Sequence, residues 1–210
     1  MKIKTQNDNK EIRRYSFEIR ADNNEQYGDF VTGKPILYNS LANIGAFDEI
    51  IEAGALDGAD LKDVRFLVNH NTDMIPLARS RNNNEKSTMQ MTVDDGGMNI
   101  RVNLDTANNS DAKNLYSAIQ RGDIDGMSFM FTVDADDWEN LESDHPTRHI
   151  KKIGKVFDVS AVTFPAYPET SISARNAQTL DNARAALDSA KNANNEIEVL
   201  RMKAFINSKI

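Results

Sequence analysis

The sequence predicts an α+β protein: a closed or nearly closed, mainly antiparallel β-barrel with helices packed around it and a helical tail at the C-terminal end. Three observations carry that expectation. Short alternating runs separated by turn residues fill the N-terminal half, one amphipathic helical stretch precedes two long apolar runs, and the composition changes near residue 176.

The strands begin with "RRYSFEIRA" (13–21) and "DFVTGKPILY" (29–38), in which Pro35 restricts the run to an edge or an interrupted strand. "VRFLVN" (64–69) and "IPLARS" (75–80) follow. "STMQMTVDDGGMNIRVNL" (87–104) predicts a hairpin, because two alternating runs flank Asp94, Asp95, Gly96 and Gly97, residue types that tolerate positive φ in a tight turn. In "NSDAKNLYSAIQRGD", Asn109 or Ser110 can cap a helix, Ala112, Leu115, Tyr116 and Ile119 fall at helical spacing, and Gly122 can close its end. "GDIDGMSFMF" (122–131) then predicts a strand with Met127, Phe129, Phe131 and Val133 on one face and Ser128, Met130 and Thr132 on the other. A polar loop, "DADDWENLESDHPTRH" (134–149), separates it from "IKKIGKVFDVSAVTFPAYP", which Pro165 and Pro168 bring to an end. From about residue 176 the chain is rich in Ala, Asn, Asp, Lys and Arg, without Gly or Pro. Leu180, Ala183, Leu187, Ala190 and Ile197 trace a heptad-like seam that Asn194 and Arg201 interrupt. That tail suits a partner or oligomer contact, or a removable segment, better than a share of the core.

The composition limits the chemistry. The chain of 210 residues, 40% of them apolar, suits one ordinary domain with an appendage. With 32 acidic against 25 basic residues the formal charge is -7, and no Lys/Arg-rich run with interleaved aromatics favours a nucleic-acid partner. No cysteine is present, so covalent chemistry falls to serine, threonine or a carboxylate. Neither a secretory signal nor a long apolar run appears, which points to a soluble intracellular protein with no membrane partner.

Three histidines are candidate general bases. His70 ends "VRFLVNHN", where a strand leaves the core; it is either bonded to a turn carbonyl or aimed into a site. His145 and His149 lie in the acidic loop and suit a solvated role; they are four apart, but Pro146 argues against the helix that would align them on a metal. Asp158 falls among Phe157, Val159, Ala161 and Val162. A buried carboxylate needs a partner, and an arginine, backbone amides or the N–H of His70 would serve. Ser128 is either a structural strand residue or a nucleophile.

Five segments in order, "GAFDEIIEAGAL" (45–56), "VRFLVNHNTDMIPLARS" (64–80), "DDGGMNIRVNLD" (94–105), "AIQRGDIDGMSFMF" (118–131) and "FDVSAVTFPAYPETSISAR" (157–175), resemble the prohead maturation proteases of tailed bacteriophages. That serine peptidase family shares its fold with the herpesvirus assembly proteases. The resemblance covers roughly residues 11–175 and implies a herpesvirus-protease-like barrel, a catalytic domain over 1–175 and a tail over 176–210 that is scaffold-like or removed by self-cleavage. It implies that His70 is the general base, Ser128 the nucleophile and Asp158 the orienting acid, with no metal or organic cofactor, and "TFPAYPETS" (163–171) is a candidate source of oxyanion donors. Two positions depart from the family's pattern: Met130 stands where glycine is common, and Asp158 where the longer glutamate is common. His145 and His149 are therefore the alternative source of the third residue. The implied substrates are the scaffolding portion of the major capsid protein, or a separate scaffold, and the enzyme itself. The expected setting is the assembling procapsid in the bacterial host cytoplasm, with a homodimer as the expected assembly. The alternative is a catalytically inactive capsid-assembly or scaffolding protein on the same fold.

Overall fold

The structure, a computed structural model, describes residues 10–15, 19–163 and 170–207. Their strands form two open sheets. The seven-stranded sheet contains β1 (Glu11–Tyr15), β4 (Leu41–Asn43), β5 (Asp48–Ile51), β6 (Asp63–Val68), β7 (Ala78–Arg81), β10 (Gly126–Glu139) and β11 (Thr147–Val162). The four-stranded sheet contains β2 (Ile19–Asn24), β3 (Gly28–Leu37), β9 (Gly97–Asn103) and β8 (Met89–Asp94), in the order β2-β3-β9-β8. Two helices complete the described elements, α1 (Ser110–Gln120) and α2 (Thr170–Asn207).

The expected closed barrel with surrounding helices is not what these residues form: neither sheet closes on itself. The reason is visible at the seam between β7 and β8. There the backbone ladder gives way to side-chain bonds: Arg79 N donates to Thr88 Oγ1 and Arg81 N to Ser87 Oγ. Asn83 brackets Met91 by accepting from its N–H and donating to its carbonyl. Asn82 and Asn83, at φ 52° and 49°, turn the chain where a continuing strand would be needed. A second break falls in "RRYSFEIRA", which is not one strand: β1 and β2 belong to different sheets.

The hairpin and the helix form as their sequences dictate. β8 and β9 pair from Met89↔Val102 to Asp94↔Gly97. Asn109 caps α1 by accepting from Asp111 N and Ala112 N, while Ala112, Leu115 and Ile119 are its buried stripe. Pro35 lies within an irregularity of β3 between Gly33 and Ile36, where a missing N–H costs the ladder least. The 134–149 segment, expected as a loop, is mostly strand. β10 runs to Glu139 and β11 starts at Thr147, held by cross-strand polar pairs such as Asp136 with Arg148. In the other half of β10, Met127, Phe129 and Phe131 of the expected apolar face are fully buried and Val133 is partly buried, with the two phenylalanine ring centroids 4.7 Å apart.

A buried ion network ties β1 to the sheet. Arg13 of β1 donates through Nε and Nη2 to both carboxylate oxygens of Glu49 on β5, the latter bond 2.6 Å long, and through Nη2 to Glu11. Arg148 of β11 meets Glu11 at 2.6 Å, Glu49 at 3.2 Å and Asp136 at 2.6 Å. Asn176 of α2 accepts from Arg13. Further along α2, Arg184 reaches the carbonyls of Leu141 and Ser143 and Lys191 bonds Glu142, so the middle of the helix rests on the β10–β11 turn.

Burial works to raise the Glu11 carboxyl, but Arg13 and Arg148 outweigh it and hold the group below the usual carboxylate range. The folded state therefore binds this proton less readily than the unfolded chain. The stabilisation is complete above the unfolded glutamate's value, about 4.3, and is lost as the pH falls below it through the folded value. Glu11→Gln is expected to cost about 1–3 kcal/mol at pH 7 and progressively less toward pH 3, which denaturant melts at the two pH values will measure.

Candidate active site

Three neighbouring strands build the site. β11 lies between β10, antiparallel on one edge, and β6, parallel on the other. Pairing sets Ser128 opposite Ser160 and Met130 opposite Asp158, with Leu67 and Arg65 beside them on β6. Asp158 and Ser160 are two residues apart and so share one face of β11. His70 lies two residues past the end of β6, where Asn69 and His70 both adopt left-handed backbone, φ 52° and 56°. Asn69 N donates to the carbonyl of Ala161, and its side chain accepts from Thr163 N, so the turn is pinned to β11.

That turn places the imidazole between the carboxylate and the hydroxyl. Nδ1 lies 2.6 Å from Asp158 Oδ1, and Nε2 lies 2.5 Å from Ser128 Oγ. With Nδ1–H donating to the carboxylate, Nε2 is the basic nitrogen facing the serine. The carboxylate expected to need a partner has His70, and also the Ser160 hydroxyl, which donates to Oδ1 at 2.9 Å. Ser160 Oγ in turn accepts from His70 N at 3.1 Å. Ser128 Oγ has a second neighbour, the carbonyl of Arg13 on β1, to which it donates at 2.7 Å.

His145 and His149 lie at the far end of β11 from this cluster. His145 bonds Asp48 at 3.0 Å, and His149 bonds Glu52 at 3.0 Å and Glu139 at 3.4 Å. The oxyanion candidates at 164–169 lie outside the described residues. Sequence reasoning did not single out Ser160 or the β1 carbonyl. The signal for Ser160 was its spacing of two from Asp158 on a strand; the carbonyl left none, because backbone carries no residue identity.

Residues 15–185, most of the chain, match the family model described as caudovirus prohead serine protease. The chain belongs to that family. It is 30% identical over 161 residues to the prohead protease of Enterobacteria phage HK97, a match covering 75% of this chain and 64% of that protein. The chain thus spans less than two thirds of that relative's length. No solved structure matches. The family match takes in His70, Ser128, Asp158 and Ser160, and it begins at the last residue of β1.

The left-handed turn at Asn69 gives a stability test. A Cβ in that conformation costs about 1–2 kcal/mol unless the side chain can bond locally, as asparagine does. Asn69→Ala is therefore expected to melt below Asn69→Gly, since both lose the bond to Thr163 and only glycine escapes the strain. Thermal melts of the two variants beside wild type measure the difference.

Proposed function

We propose that this protein is a serine endopeptidase of phage procapsid maturation, with Ser128 as nucleophile, His70 as general base and Asp158 as the acid that orients and stabilises the imidazolium. The observation that carries the reading is the imidazole bonded on one side to Asp158 and on the other to Ser128. Family membership supplies the peptidase chemistry and the setting.

In the proposed reaction His70 Nε2 takes the Ser128 proton as Oγ bonds the scissile carbonyl carbon. The imidazolium then gives that proton to the leaving amine as the C–N bond breaks, leaving an acyl-enzyme. Water, deprotonated by the same nitrogen, releases the acid and restores the serine. The shorter Asp158 does not weaken this reading, because it reaches Nδ1 at 2.6 Å from a strand in register with the nucleophile's own. Its proposed targets are the scaffolding portion of the major capsid protein, or a separate scaffold, and the enzyme itself, within the assembling shell in the host cytoplasm. A homodimer is the proposed assembly, residues 1–175 the catalytic domain and 176–210 a tail that is scaffold-like or removed by self-cleavage. Among the described residues no helix is long and apolar enough to cross a membrane.

One observation favours the second reading, an inactive assembly protein: Ser128 is fully buried. Co-expression with the capsid protein, followed by intact-mass spectrometry, separates the two. Wild type is expected to shorten the capsid protein and trim its own chain, and Ser128→Ala is expected to leave both at full mass. Identical masses from the two within assembled shells would favour the scaffold reading instead.

A further inference from the structure

We infer that Ser160 is a positioning residue for the catalysis proposed above, on which this inference rests. Its hydroxyl, fully buried, has one proton and spends it on Asp158 Oδ1, while a lone pair accepts the backbone N–H of His70. Oδ1 also takes the Nδ1–H of the imidazole. One hydroxyl thus fixes both ends of the acid–base pair, the peptide that carries the ring and the carboxylate that aims it. His70 needs that hold because it lies beyond the end of its strand in a left-handed turn.

Removing the hydroxyl leaves a carboxylate with one donor fewer and a histidine backbone without its anchor. The test is the rate at which a fluorophosphonate labels the serine: Ser128 Oγ bonds phosphorus, fluoride leaves and the proton passes to His70. Ser160→Ala is expected to label about 10- to 100-fold more slowly than wild type, the worth of one hydrogen bond to a charged group. The pH at which labelling is half-maximal should move with it, and Ser160→Thr, which keeps the hydroxyl, should recover the rate. Labelling by Ser160→Ala at the wild-type rate, or lowered only in proportion to its folded fraction with an unchanged pH profile, would overturn the assignment. Failure of the protein to label faster than Ser128→Ala even when β1 is released would sink the protease reading itself.

A separate observation concerns β1. Ser128 has 0% relative exposure, and the His70 and Asp158 side chains 5% and 4%, so no substrate carbonyl reaches the nucleophile in this arrangement. What the hydroxyl touches besides His70 is the carbonyl of Arg13, on a strand paired antiparallel to β10 from Glu11↔Phe131 to Tyr15↔Met127. We propose that β1 is an autoinhibitory strand: it lies along the nucleophile's strand as an extended peptide and competes for the Ser128 proton, so the enzyme works only when β1 withdraws. Its side-chain anchors are charged, Glu11 and Arg13, and when Arg13 leaves, Arg148 remains within 3.2 Å of Glu49 as counter-ion.

The absence of cysteine makes this testable. Ile12 and Met130 are directly opposed, a spacing that suits a disulfide. The double variant Ile12→Cys, Met130→Cys is expected to label with fluorophosphonate at least tenfold more slowly oxidised than reduced, with dithiothreitol restoring the rate and leaving wild type unaffected. Equal rates in the two states, or a pair that does not oxidise, would overturn the proposal. Hydrogen exchange on wild type provides a second reading: once Ser128 carries the label, amides 11–15 should lose protection, and protection retained there would likewise overturn it. If a variant freed of the β1 anchors, Glu11→Ala with Arg13→Ala, folds and still labels no faster than Ser128→Ala, the protease reading fails rather than the gate alone.

Discussion

β11 is the strand to which the rest of the structure is registered. It pairs with β10 along one edge and with β5 and then β6 along the other, so it joins the strand of Ser128 to the strand that leads to His70. A slip of one residue in either ladder would turn Asp158 and Ser160 to the opposite face, away from His70 and Ser128. The apolar face fixes that register: Val156, Val159 and Ala161 are buried with Phe129, Phe131 and Phe66. Core packing therefore sets the geometry of a polar site whose own bonds contribute little net stability.

The two ends of β11 serve different ends. At its start, Arg148 is bonded to Glu11, Glu49 and Asp136, and at Glu11 the arginines outweigh the cost of burial. Near its finish, Asp158 accepts from a histidine and a hydroxyl. β1 spans both regions, contributing Glu11 and Arg13 to the ion cluster and a backbone carbonyl to the serine. One five-residue strand thus connects the charge cluster to Ser128.

Elements whose causes are local were legible in the sequence. The 89–103 hairpin follows from turn residues between alternating runs, and α1 follows from a cap, a stripe and a terminal glycine. The three residue types that meet at the site were also legible, because a serine in an apolar strand, a histidine at a strand end and a carboxylate in an apolar run each stand out against their surroundings. What was not legible depends on pairing between distant segments. Sheet closure failed at side chains of Asn83, Ser87 and Thr88 that read as ordinary turn residues. The acidic 134–149 stretch became strand because its charges find partners across the hairpin, as Arg148 does in Asp136, and on β5, as Arg148 does in Glu49. β4 and β5 are short, and β5 is defined by its neighbours more than by its own pattern.

Ser128 shows why the unread part matters. A hydroxyl has one proton, and two acceptors lie within reach of it, His70 Nε2 and the Arg13 carbonyl. The imidazole can act as a base on that proton only when the hydroxyl points to it. Residue types alone pick out the serine, the histidine and the carboxylate; they do not describe the competing carbonyl, which comes from β1 at the edge of β10. Under the proposed chemistry His70 and Asp158 are already paired, so what decides the direction of the Ser128 proton is which backbone carbonyl stands beside it at the edge of β10, an edge with which an extended peptide can pair as β1 does.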